Sequence, residues 1–314
     1  MEPLSNTLGK VMEIEGDPWV FRFANGLVVH TDPFMRPDSR RVLPVGGPQD
    51  MILNRLVNRP QIVSGKRVLD AFAGSGVLGL MALRLGAASV DFVDINPRAV
   101  RFTIENCARN GFSPNSFRAI EASVAEFSDP RPYDVVLANP PFVMTPPGIE
   151  GTLTSAAGPE GNDHTEMLVA RLDDLLAAEG EAYAFILQLV VDGEPLIART
   201  LPGRLSLRTV TLTPVQEETC PFKDYVAAYL RRFGAQAGAV REWERDLRAR
   251  FGGALGVQHY IMRVPPRGTA PTTWSIVDNL ATDYGAGFRY PVSSQADMAL
   301  GRVTENFIIP SDGV

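Results

Sequence analysis

From Lys66 onward, short apolar runs alternate with stretches of helical spacing, the pattern of a parallel sheet joined by crossover helices. Strands are predicted over 67–71, 89–94, 116–120, 134–138 and 182–190, and helices over 77–85, 97–109, 163–178 and 195–200. Pro97 suits a first helical turn, where a missing N–H costs nothing. Asp163 followed by Glu166 reads as a capping box, and Leu168, Leu172, Leu175 and Leu176 give that helix a buried face. Upstream, residues 18–31 alternate as a hairpin around Asn25-Gly26, a type I′ turn signal. A Pro-rich link (32–37) and a helix near 49–57, stopping before Pro60, complete that end. Downstream, 205–212 and 259–264 read as antiparallel strands. Two helical stretches between them, 225–233 and 240–251, are far more than a hairpin needs, so the insertion at 215–256 reads as a cap or an oligomer contact. Residues 266–314 mix Pro, Gly and polar positions, with a strand or tether at Phe307-Ile308-Ile309.

Composition narrows the class. With 45% hydrophobic and 21% charged residues, 314 residues can bury a large core without staples. Cys107 and Cys220 stand far apart, which excludes a disulfide framework and fits a reducing cytoplasm. His30, His164 and His259 show no metal-ligand spacing, so no metal is expected. The first residues, with Glu2, Glu13 and Glu15, do not read as a signal peptide, and the apolar run 182–191 is too short to span a bilayer. The expectation is a cytoplasmic protein with no membrane partner. A net charge of −6 argues against strong phosphate-driven affinity and disfavours nucleic acid as a partner, a local patch aside.

The first strand runs into Asp70-Ala71-Phe72-Ala73-Gly74-Ser75-Gly76-Val77-Leu78-Gly79. Gly74, Gly76 and Gly79 satisfy the dinucleotide fingerprint, which alone is a weak signal. Asp94 ends the next strand, where a carboxylate can hold ribose hydroxyls. Asp70 discriminates. A carboxylate at the strand end would repel a pyrophosphate approaching the helix N-terminus. S-adenosylmethionine (SAM) has no phosphate and carries an ammonium and a sulfonium, so Asp70 suits it. The bland alternative is that Asp70 only caps the following turn.

Asn139-Pro140-Pro141-Phe142 follows the fourth strand, at the carboxyl edge where open α/β sheets bind ligands. A conjugated NH₂ is a poor nucleophile because its lone pair is delocalised. The Asn139 side-chain oxygen and the Pro140 carbonyl can each accept one N–H and aim the nitrogen at a methyl group. Phe142 offers a stacking face. In this order, Asp70 to Gly76, Asp94 and the Asn-Pro-Pro-Phe turn resemble class I SAM-dependent methyltransferases with that motif, over about residues 60–215. The group includes N6-adenine, N2-guanine and glutamine-N5 methyltransferases.

The resemblance implies a Rossmann-like fold, a mostly parallel seven-stranded sheet with an antiparallel last strand, carrying here an N-terminal hairpin and a helical insertion. It implies that Asp70, Gly74 and Gly76 line the methionine part, with Phe72 beside them. Asp94 would hold the ribose, Ile95 pack on adenine, and Asn139 and Phe142 face the acceptor. After the third strand, where relatives often carry an Asp near the adenine amine, the chain reads Glu121-Ala122-Ser123-Val124, so Ser123 or Glu121 takes that place. The implied organisation is a hairpin or lid segment (1–60), a SAM-binding catalytic domain (61–265) and a C-terminal extension (266–314).

Residues 1–60 are too short for the helical recognition domain of release-factor methyltransferases, and the added segments fit an enclosed site or a homodimer contact. The leading reading is transfer of a methyl group from SAM to an amino or amide nitrogen of a small molecule or protein side chain, by in-line displacement. A second reading makes SAM itself the substrate: its amine closes onto its own γ-carbon, giving azetidine-2-carboxylate and methylthioadenosine, with Asn139 and Phe142 or Tyr183 holding the folded molecule. A third is methylation of a nucleic-acid base; a silent SAM-binding scaffold is a fourth. The Gly-, Pro- and Ser-rich loop 143–162 reads as a lid, with His164 at its end as a base or a solvated helix-start residue. Trp19, Phe21 and Phe23 form either core or a flap over SAM. Arg241, Arg245, Arg248 and Arg250 with their acidic neighbours read as a solvated helix face.

Overall fold

The structure is a computed structural model; residues 8–13, 16–34 and 36–285 are described. The elements in chain order are β1 (Val11–Glu13), β2 (Trp19–Arg22), β3 (Val28–Thr31), α1 (Gly47–Asn58), β4 (Arg67–Ala71), α2 (Val77–Arg84), β5 (Ser89–Asp94), α3 (Pro97–Arg109), β6 (Phe117–Glu121) and β7 (Tyr133–Ala138). They continue with α4 (Asp163–Leu175), β8 (Leu176–Val191), β9 (Glu194–Pro195), α5 (Leu201–Arg204), β10 (Thr209–Pro214), β11 (Cys220–Pro221), α6 (Phe222–Arg232), α7 (Ala237–Phe251), β12 (Leu255–Val264), β13 (Thr273–Ile276) and α8 (Leu280–Tyr284).

The main sheet runs β13-β10-β12-β8-β7-β4-β5-β6. β4 to β8 pair in parallel, and β12 runs antiparallel between β8 and β10. This is the Rossmann-like class I methyltransferase arrangement expected from the sequence. It exceeds the seven strands expected: β13, from the segment assigned to the C-terminal extension, pairs in parallel with β10, and β9 and β11 add short ribbons. The proposed strand at Phe307–Ile309 lies outside the described residues.

Both sheet faces are buried, which is why the strands read as continuous apolar runs rather than alternations. Val68, Val90 and Leu137 pack with α1 and α2 on one face, and Leu69, Val93 and Val136 with α4 on the other. Pro97 does open α3, with Asn96 as its N-cap accepting the Arg98 N–H at 3.0 Å. The capping box at α4 shifts by one: Asp163 is the first helical residue and Asn162 the cap position, whose side-chain amide donates to Glu166 at 3.1 Å. α4 also ends three residues earlier than predicted, because Leu176 turns extended and starts β8 with its side chain buried. The predicted strand 205–212 begins only at Thr209, since Leu205 still closes α5.

The hairpin forms with Trp19 opposite Thr31 and Arg22 opposite Val28. Phe21, Phe23 and Val29 join the core against α2, so the aromatic stripe is packing, not a flap. Two amides one turn apart, Asn106 on α3 and Asn110 at its C-cap, grip β3. Asn110 accepts the Val28 N–H at 2.8 Å and Asn106 that of His30 at 2.9 Å, and each donates back to the same residue's carbonyl. The insertion folds onto the lid: Val143, Met144 and Ile149 share a buried cluster with Tyr229, Trp243 and Leu247.

Candidate active site

The strand order reverses between β4 and β7, and the crevice at their carboxyl ends is where doubly wound sheets bind ligands. The chain brings most of the expected cofactor residues to one cavity there. Asp70, Phe72, Gly74, Asp94, Ile95, Ser123 and Asn139 all line it. Gly76 and Glu121 do not. Gly76 sits at the N-cap of α2 with φ +80, a conformation that favours glycine, and turns the chain into the helix. Gly79 serves packing: a Cβ there would meet the Phe92 ring at 2.3 Å. Of the three glycines, Gly74 is the one that faces the cavity, with φ +57 and open space where a side chain would be.

Asp70 is 1% exposed and accepts the Gly79 N–H at 2.8 Å, so it does cap α2 while its carboxyl lines the cavity. Burial pushes its carboxyl well above the usual carboxylate range, against the lowering by that N–H, and the neighbouring Asp94 adds to the rise. Asp94 accepts from Gly74 N and Asn96 N, both at 2.8 Å, and burial raises it too. A carboxylate has about four acceptor sites, so ribose hydroxyls can still join these two bonds. Among the described residues, the lining holds two carboxyls and no Lys or Arg. That charge pattern suits a cationic ligand and opposes a pyrophosphate. Phe72 adopts a left-handed φ of +58, rare for an aromatic residue, and sets its ring edge-on to His164 at 5.8 Å.

A second cavity lies across the Asn-Pro-Pro-Phe turn. Phe34, Pro44, Gly46, Pro140 and Phe142 line it, and no described residue gives it a charged side chain. Leu43, Gln49, Asn139, Pro141 and Thr154 belong to both cavities and form the wall between them. The Asn139 side-chain oxygen in that wall is buried and has no hydrogen-bond partner among the described residues. Phe142 faces the second cavity and packs on Phe185 at 5.7 Å and His259 at 5.6 Å. Tyr183 lies elsewhere: it is buried under the Arg55 guanidinium and donates to Glu181 at 2.7 Å, so it cannot cage a sulfonium in either cavity. His164 lines the first cavity and not the second.

Sequence reasoning missed the strap between β3 and α1. Val42 and Leu43 close the first cavity, and Asp32, fully buried, anchors the strap by accepting from Val42 N at 2.8 Å and Arg98 Nε at 2.7 Å. Asn96 donates to the Arg40 carbonyl at 2.8 Å, and the lid's Leu153 N–H reaches Ser39 at 3.1 Å. The one available signal was that 32–46 is longer than a hairpin-to-helix connection requires.

Residues 48–151 match the methyltransferase small domain. The matched segment, about a third of the chain, carries Asp70, Asp94 and the Asn-Pro-Pro-Phe turn, and the match supports a SAM-dependent methyltransferase domain. The ribosomal protein L11 methyltransferase of Teredinibacter turnerae is 38% identical over 119 residues, covering 37% of this chain and 38% of that protein. The tRNA1(Val) (adenine(37)-N6)-methyltransferase of Aeromonas hydrophila is 29% identical over 122 residues, covering 38% and 51%. The chain thus spans less than two thirds of the length of these relatives. The T. thermophilus 16S rRNA N2 methyltransferase, solved with AdoMet and guanosine, shares 15% identity over 80% of this chain and 50% of that one, with a TM-score of 0.46. The expectation that nucleic acid is disfavoured is not borne out: the relatives are named for both protein and RNA substrates. Among the described residues, no helix is long and apolar enough to cross a membrane.

Proposed function

We propose that the chain is a SAM-dependent N-methyltransferase acting on an amino or amide nitrogen of a protein side chain, a nucleobase or a small molecule. The observation that carries this reading is the Asn139 side-chain oxygen, buried without a partner in the wall between an acid-lined cavity and an uncharged one. A buried acceptor costs free energy unless a ligand supplies the donor. Asp70, Phe72 and Gly74 hold the amino-acid part of SAM, Asp94 the ribose, and Ile95 and Ser123 the base. When bound, SAM supplies an electrophilic methyl group on its sulfonium. Asn139 Oδ1 and the Pro140 carbonyl each accept one N–H of the acceptor, which turns the nitrogen lone pair towards the methyl group. Phe142 and Phe34 flank a flat acceptor, and the uncharged lining favours a neutral one over an ammonium. The strap and lid exclude water.

The second cavity also weighs against cyclisation of SAM. That reaction needs a closed pocket, whereas here an outside acceptor has a way to Asn139.

The test incubates the protein with labelled SAM and, in separate reactions, ribosomal protein L11, bulk tRNA and glutaminyl peptides. Label in one acceptor, lost at least about 100-fold in Asn139→Ala with the SAM Kd unchanged, supports the reading. Methylthioadenosine and a cyclic amino acid from SAM alone would refute it.

A further inference from the structure

His164 sits in the first turn of α4 with its two ring nitrogens in opposite situations. Nε2 lies 3.1 Å from the Ala156 carbonyl, on the lid. A carbonyl only accepts, so Nε2 carries the hydrogen and Nδ1 presents a lone pair in the neutral ring. Nδ1 is buried and has no hydrogen-bond partner among the described residues. Burial also lowers the imidazole's affinity for a second proton, against the raising by the Ala156 carbonyl and Asp163, which keeps the ring in this form. The ring lines the cofactor cavity and is held edge-on by Phe72, whose own left-handed backbone is fixed by the loop that follows Asp70. The ring that lines the first cavity therefore carries an oriented acceptor with no partner among the described residues.

We infer that His164 Nδ1 accepts a hydrogen bond from an N–H or O–H of bound SAM, while Nε2–H ties the lid to the same ring. The residue is a cofactor-positioning group and not the base that its place in the sequence suggests. It links the two events a methyltransferase must order: the cofactor orients the ring, and the ring holds Ala156, whose neighbours pair with Val143 beyond Phe142. The inference rests on the reading of the first cavity as a SAM site.

Two conservative variants separate the two nitrogens. In His164→Gln the amide nitrogen replaces Nε2 and keeps the lid bond, but the Nδ1 acceptor is lost. In His164→Asn the amide oxygen replaces Nδ1 and the lid bond is lost. Calorimetric titration of the purified full chain with SAM and with S-adenosylhomocysteine reads the result. A Kd weakened roughly three- to tenfold in His164→Gln, with His164→Asn within about twofold of wild type, supports the assignment. Unchanged affinity in His164→Gln, or equal losses in both variants, overturns it. Failure of the wild-type protein to bind SAM would instead sink the functional reading itself.

Discussion

Replacing Asp70 with Asn separates a cap from a charge. Asp70 accepts the Gly79 N–H at 2.8 Å, and an amide oxygen can take that bond, so the start of α2 survives the substitution. What disappears is a carboxylate that is 1% exposed in a lining without Lys or Arg. In the ligand-free protein that charge is a burden. Its folded carboxyl titrates well above the unfolded one, so folding takes up a proton between the two values, and stability falls as pH rises through that window. Asn removes Asp70's share of that slope and leaves the share of Asp94. A carboxylate desolvation penalty of several kcal/mol, partly offset by a charged hydrogen bond of about 1.5–3 kcal/mol, leaves the variant about 1–2 kcal/mol more stable at neutral pH. That is a Tm gain of roughly 2–8 °C. With SAM the sign reverses. Loss of the charged contact of about 1.5–3 kcal/mol weakens Kd by roughly 10- to 100-fold. Thermal unfolding with and without SAM, together with calorimetric titration, reads both effects. An Asp70→Asn protein that binds SAM as tightly as wild type would reduce Asp70 to a helix cap and remove the electrostatic argument for the cofactor.

The remaining predictions concern the same crevice. Gly79→Ala drives a Cβ into Phe92 and Val90, at 2.3 and 2.8 Å. Overpacking of this kind costs about 1–3 kcal/mol, so thermal unfolding should show a lowered Tm while the folded fraction keeps its SAM affinity. Lost affinity at an unchanged Tm would make Gly79 a ligand contact. Binding of a cation should release protons, because burial holds both Asp70 and Asp94 above their usual range and the ligand favours their ionised forms. Affinity therefore falls as pH drops from neutral, and titrations in two buffers of different ionisation enthalpy should give different heats. Equal heats would mean that neither carboxyl changes state.

The grouping of Asp70, Gly74 and Asp94 around one cavity was legible because it is set locally. Asp70, Gly74 and Asp94 lie at strand ends whose β and α periods are unambiguous, and parallel order alone brings those ends together. The glycine fingerprint was legible only as a pattern. Which glycine faces a ligand depends on the position of Phe92, twelve residues or more away in the next strand. The strap was illegible because its fixing contacts are long-range polar ones, such as Asp32 with Arg98 and Asn96 with Arg40. No period marks a segment held that way. β13 was hidden for a similar reason: four residues of exposed or half-buried edge carry no alternation strong enough to separate from loop.

Those differences fall along a physical division in the site. The wall that faces the acidic cavity comes mainly from the α/β layers inside the matched segment 48–151. The uncharged cavity is closed by Phe34, Leu43 and Pro44 from the strap and by Thr154 and Ser155 from the lid, all outside that segment. The insertion in turn braces the lid. Tyr229 donates to the Met144 carbonyl at 2.5 Å, Trp243 to that of Pro159 at 2.9 Å, and Arg250 pairs with Glu160. A lid clamped by two buried aromatic donors can hold a fixed shape against the acceptor without a helix or strand of its own. The shape of the uncharged cavity is therefore written in the strap, lid and insertion together. A match over 48–151 alone therefore covers most of the acid-lined cavity and leaves outside it the strap and lid that close the uncharged one.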